Sequence, residues 1–255
     1  HYNSYISIPT SIVYSYYGLL MISPWSTNPK LTKQGFNRVF RNIPNDAYFG
    51  YAMAAYCAKK GWKRVMIYYI EDDYGEGLAN SFEMAAEGLG LIILDRMGYN
   101  SISGPKNFED DLSYWKENFN FDAIFIADVI PRAALCIKKA REIGINVPFL
   151  GGDGIDSPKL IEIVGRQSAN DIFMPCVFNP YDNAPKTVEY TKKFKQKYGK
   201  IPDTHSALGY DAVNLLAYAI EKAGTTVPDK IAQALHSVKG WIGVTGEYTF
   251  DKISL

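Results

Sequence analysis

Between Arg64 and Leu150, short apolar runs take turns with stretches of helical period, and this alternation constrains the fold more than any other feature. Residues 64–70, 91–94, 122–127 and 147–150 read as buried strands. Residues 75–89, 108–119 and 131–143 read as helices between them. In the first helix Leu78, Phe82, Ala85, Ala86 and Leu89 share one face at helical spacing. Asp72 and Asp73 suit its N-terminus, Pro131 suits the start of the third, and Gly144 suits its end. Strands alternating with helices of this length predict a parallel sheet covered on both faces.

In such sheets, ligands bind beyond the carboxyl ends of the strands. Asp153, Asp128 and the turn at Asp72, Asp73 and Tyr74 all fall there. Ser26 and Thr27 likewise follow the apolar run 19–22. Beyond Met174 the pattern changes to a polar loop at 179–183 and then to helices over 187–198, 206–223 and 229–238. The helix after His205 carries Ala207, Leu208, Val213, Leu215, Leu216, Ala219 and Ile220, so Tyr210 and Asp211 are expected to be structural.

The chain has 255 residues, 47% of them hydrophobic, enough for one large domain or two lobes with packed cores. Lys+Arg and Asp+Glu are 27 each, so no basic surplus exists to follow nucleic acid or an anionic membrane. Cys57, Cys136 and Cys176 are far apart and are expected to be buried thiols; no spacing suggests zinc. No run approaches the ~18 apolar residues of a membrane span. No signal peptide or starting Met is visible, which suggests a piece of a longer mature protein. GxSxG, P-loop, HExxH and GxGxxG patterns are absent, and His1, His205 and His236 are the only histidines. Catalysis is not expected, nor is any metal or organic cofactor.

What remains is a set of two hydroxyl-bearing segments and one isolated acid. Ser4 precedes a plausible helix, Ser26 and Thr27 sit in a turn, and Asp153 lies within Gly151-Gly152-Asp153-Gly154. Helix-start amides and hydroxyls suit an anion, and a carboxylate suits a cation, so the set can hold a small zwitterion.

His1-Tyr2-Asn3-Ser4, Ile22-Ser23-Pro24 through Thr27-Asn28-Pro29-Lys30-Leu31-Thr32, and Tyr74-Gly75-Glu76-Gly77-Leu78-Ala79 are also recognisable together. So are Gly151-Gly152-Asp153-Gly154, Gly209-Tyr210-Asp211-Ala212-Val213 and Gly243-Val244-Thr245-Gly246. In this order the chain resembles the periplasmic branched-chain amino-acid-binding proteins of bacterial ABC importers. The resemblance implies an α/β fold of the type I periplasmic binding protein kind, two lobes, each a parallel sheet flanked by helices. The first lobe would hold 1–44 and 177–240, the second 45–176 and 241–255. It also implies truncation at both ends. A βαβ segment of the first lobe that forms one pocket wall would precede His1, so the piece 1–255 is expected to be poorly soluble or unable to bind.

By the same resemblance Ser4, Ser26 and Thr27 meet the ligand carboxylate, Asp153 pairs with its ammonium, and Tyr74 closes over it. Trp25 replaces a small residue, and Val129 stands where relatives can carry a pocket tyrosine. Asp128 is a further polar candidate, with a solvated loop acid as the alternative. His205 lies near the cleft, with a solvent-facing helix-start residue as the alternative. The implied function is extracytoplasmic capture of a branched-chain or other hydrophobic amino acid between the lobes by a monomer. Delivery would be to an ABC importer permease, and the site periplasmic or, with a lipid anchor, extracellular. The alternatives are a sensor domain of a signalling receptor and a binder of an amine-free organic acid.

Overall fold

A computed structural model describes residues 2–100 and 107–250, arranged as two compact units. One comprises His1–Pro44 with Cys176–Leu255, the other Asn45–Pro175. Residues 241–250 belong to the first unit, not to the second as the sequence had suggested. The reason is local: the buried Asp211 carboxylate accepts the Val244 and Thr245 amides, each at 2.9 Å, and Phe250 packs on Phe40.

The second unit begins with α3 (Asp46–Lys60), β3 (Arg64–Ile70) and α4 (Asp73–Gly88). It continues through β4 (Ile92–Tyr99), α5 (Phe108–Asn118), β5 (Ala123–Ala127), α6 (Arg132–Glu142) and β6 (Phe149–Gly151). A 3-10 turn (Asp153–Ile155), α7 (Lys159–Val164) and β7 (Ile172–Phe173) complete it. The five strands form a wholly parallel sheet in the order β4-β3-β5-β6-β7. Alternation along the strands divides the core. Met66, Tyr68, Ile70, Ile124 and Ile126 pack with Leu112, Trp115 and Ile137. On β5, Phe125 alternates with these and stacks on Phe82 of α4 at 3.9 Å. The predicted strands and helices here match to within a few residues, except that β4 runs on to Tyr99.

The first unit holds α1 (Ser4–Tyr16), β1 (Met21–Ser23), α2 (Lys30–Lys33) and β2 (Val39–Arg41). Beyond the second unit come α8 (Pro185–Tyr198), α9 (Thr204–Ala223), α10 (Pro228–His236) and the strands β8 (Trp241–Ile242) and β9 (Glu247–Tyr248). β1 and β2 pair in parallel, β8 and β9 antiparallel. Phe40 of β2 is buried against Ala219, Ile231 and Leu235. The helix α1 inverts the usual pattern: Ser4, Ser7 and Ser11 are its buried residues, while Tyr16 and Tyr17 beside it are exposed.

Cys57 and Cys136 are buried as expected, but Cys176 is exposed. It lies in the irregular segment that follows β7. His1 lies outside the described residues. Among them, no helix is long and apolar enough to cross a membrane, and no cluster of His, Cys, Asp or Glu has the makings of a metal site.

Candidate functional site

The second unit carries its polar candidates at the carboxyl ends of β3, β5 and β6. Asp72 ends the turn after β3 and caps α4, accepting the Tyr74 amide at 2.9 Å and the Gly75 amide at 2.8 Å. This cap fixes the first turn of α4 and with it Tyr74, which is buried. The Tyr74 hydroxyl donates to Asp153 Oδ1 at 3.0 Å and accepts the Gly154 amide at 2.9 Å. Burial pushes the Asp153 carboxyl up to about 7, against the hydrogen bond from Tyr74, which favours the charged form. Among the described residues no cation pairs with it.

Gly154 leaves the room this arrangement needs. A Cβ there would lie 2.6 Å from the Tyr74 hydroxyl and 2.9 Å from both the Asp128 carbonyl and Val129 Cγ1. The structure thus brings Tyr74, Val129 and Asp153 together around one glycine. Asp128 is nearby but committed. Its carboxylate pairs with Arg132 at 2.7 Å and accepts from the Tyr99 hydroxyl and the Val129 amide. Burial raises its pKa and Arg132 opposes the rise. It is 1% exposed, so the solvated alternative is wrong: the strand end and Tyr99 enclose it.

The first unit assembles the hydroxyls. Asn3, not Ser4, is the cap of α1, and its side chain makes no capping hydrogen bond. Ser4 is the first helical residue, and its hydroxyl accepts the Asn28 amide at 3.3 Å. The first amides of a helix have no partner within it, so this end is suited to an anion. Ser26 donates its hydroxyl to Ser7 and its amide to Ser23 Oγ. The Thr27 hydroxyl is fully buried with no hydrogen-bond partner among the described residues. Arg41 holds the turn from outside, donating to the Asn28 carbonyl at 2.9 Å and the Thr32 hydroxyl at 2.7 Å.

Trp25 and His205 meet as well. Their rings stack at 4.1 Å, and Tyr2 stacks on both while its hydroxyl lies 2.9 Å from His205 Nε2. His205 is therefore half-buried in an aromatic stack rather than a plain solvent-facing residue. Sequence reading missed Ser7, Arg41 and Tyr2. The recurrence of serine at positions 4, 7 and 11 of one helix was the available signal for Ser7.

A model of periplasmic binding proteins matches residues 12–253, and the chain belongs to that family. It is 32% identical to Leu/Ile/Val-binding protein homolog 1 of Brucella suis biovar 1 (strain 1330), over 99% of this chain and 67% of that protein. Among solved structures, a leucine-binding protein, LivK, from Thermotoga maritima MSB8 is similar with a TM-score of 0.89 and 34% identity, covering 97% of this chain and 70% of that one. An ABC transporter substrate-binding protein from Desulfitobacterium hafniense, solved in complex with Leu, gives a TM-score of 0.85 and 38% identity, covering 98% and 72%. The resemblance read from the sequence and its α/β fold class are thereby borne out.

Proposed function

We propose that this protein captures a branched-chain or other hydrophobic amino acid outside the cytoplasm and delivers it to an ABC importer permease. The observation that carries the reading is the Asp153 carboxylate, partly withdrawn from water, oriented by Tyr74 and without a cation among the described residues. A desolvated acid held this way is completed by an ammonium group. The first unit carries an anion-binding feature of its own: Ser4 at the start of α1 and the Thr27 hydroxyl, without a partner among the described residues, suit a carboxylate. Ser26, hydrogen-bonded to Ser7, fixes that turn. Val129 and Trp25 are the candidates for meeting the side chain. Asp128 and His205 act through their neighbours, Asp128 by holding the Val129 segment and His205 by holding Trp25. A relative named for binding leucine, isoleucine and valine and a similar protein solved in complex with Leu support the hydrophobic choice, and nothing in this reading calls for catalysis.

The test is calorimetry of the full-length protein against L-leucine and 4-methylpentanoate, the same molecule without its amine. Leucine should bind, and the amine-free acid should bind about 30-fold more weakly or worse, as expected when one partner of a desolvated charge pair is removed. Equal affinities would overturn the assignment of Asp153.

A further inference from the structure

The first unit contains a second recess, built from residues that the amino-acid reading leaves unused. It lies along α8, α9 and the segment 241–244, and its volume is about 570 Å³. That is within the range of small-molecule sites, roughly 300–1,000 Å³.

Its walls are aromatic. On α8, Tyr190, Phe194 and Tyr198 recur every four residues, so they share one face. Tyr210 of α9 lies against Tyr190 at 4.8 Å between ring centroids, and Trp241 lines the same recess. Tyr198 and Tyr210 are 54% and 47% exposed, so their rings are available. The Tyr190 hydroxyl, by contrast, is buried and makes no geometrically sound hydrogen bond, although the Ser206 side chain is near enough to influence it.

Its surplus charge is positive. Lys186, Lys193 and Lys197 line it, together with Glu189 and Asp211. Glu189 is neutralised by Lys193 at 2.6 Å. Asp211 is consumed by the Val244 and Thr245 amides and the Thr245 and Tyr248 hydroxyls. Among the described residues Lys186 and Lys197 have no carboxylate partner; Lys186 donates to the Ile242 carbonyl, and the two ammonium groups lie over the rings of Trp241 at 5.1 Å and Tyr198 at 5.3 Å. The same Asp211 bonds keep the wall in place. A Cβ on Gly243 would be 2.5 Å from Asp211 Oδ2, so the segment sits as close to the helix as a backbone can.

We infer that this recess is a second binding site, for a planar aromatic carboxylate, separate from the residues assigned to the amino acid. The rings receive the flat apolar body, and Lys186 and Lys197 the carboxylate.

The test uses indole-3-acetate and its neutral amide, titrated by calorimetry into the full-length protein with L-leucine held at saturation. The acid should bind saturably and about fivefold or more tighter than the amide. Tyr210→Ala should weaken it about fivefold or more and Lys197→Glu about threefold, with leucine affinity unchanged in both. The Trp241 indole resonance, identified with Trp241→Phe, should shift during the titration. Absence of saturable binding, equal binding of acid and amide, or indifference to both substitutions would overturn the inference. Failure of leucine itself to bind would count against the amino-acid reading alone, since indole-3-acetate would still report on this recess.

Discussion

Tyr74 and Asp153 are joined by a 3.0 Å hydrogen bond, and the same hydroxyl accepts the amide of the next residue, Gly154, at 2.9 Å. One phenol therefore orients the acid and satisfies the backbone that carries it. Tyr74→Phe removes both bonds. The loss of the donor raises the Asp153 pKa further, and the unsatisfied amide costs about 1–3 kcal/mol of stability. Leucine affinity at pH 7 should drop and partly recover by pH 9, measured by calorimetry across that range.

The elevated Asp153 pKa, about 7, predicts proton-linked binding. Only the ionised acid pairs with an ammonium, so affinity should fall by about tenfold per pH unit below 7 and level off above it. Binding at pH 6 should release a proton, seen as a dependence of the calorimetric heat on the ionisation enthalpy of the buffer. The sign for the unliganded protein is opposite. An acid raised in the folded state destabilises it increasingly as pH climbs from the ordinary Asp value to about 7, and constantly above. Asp153→Asn, which still accepts from Tyr74, should raise the unliganded melting temperature at pH 8, leave it nearly unchanged at pH 4, and abolish leucine binding.

Gly154→Ala should act on the site without changing any charge. Its methyl would collide with the Tyr74 hydroxyl, 2.6 Å away. Relieving that contact costs about 1–3 kcal/mol and moves the phenol off Asp153. Denaturant unfolding should report the loss of stability, and leucine affinity should fall with it.

Asp211→Ala should be among the most damaging substitutions in the first unit. It strips the acceptor from two amides and two hydroxyls beneath segment 243–248. A loss of about 3 kcal/mol or more is expected from donors left buried and unpaired. In a chain of this size that lowers the melting temperature by roughly 6–12 °C, checked by scanning calorimetry.

Trp25 and His205 should be energetically coupled. A double-mutant cycle with Trp25→Ala and His205→Ala should return about 0.5–1.5 kcal/mol of interaction in unfolding experiments, as stacked rings do. Additive effects would show that the 4.1 Å stack contributes nothing of its own.

The second unit was legible because its strands are buried on both faces and read as unbroken apolar runs, Val65-Met66-Ile67 being the clearest. The two-residue strand Ile172–Phe173 was not, since so short a segment has no period. The helix Asp46–Lys60 was missed as a unit because alanine, glycine and tyrosine blur its pattern. For the site, Asp153 stood out between glycines, and hydroxyls at a turn and a helix start have a recognisable chemistry. The Tyr74–Asp153 bond was hidden because the residues are 79 apart, and the Trp25–His205 stack because 180 residues separate its halves. Residues 241–250 were misassigned because the Asp211 bonds that retain them are tertiary.

The second unit is one uninterrupted stretch, residues 45–175, set inside the sequence of the first. A ribosome delivers that whole stretch before making α9 and α10, whose side chains enclose Phe40. The five-stranded layer thus needs no residue beyond 175, whereas Phe40 is enclosed only when α9 and α10 dock on it. The inserted unit is closed by local connections, and the surrounding unit only by joining segments more than 130 residues apart.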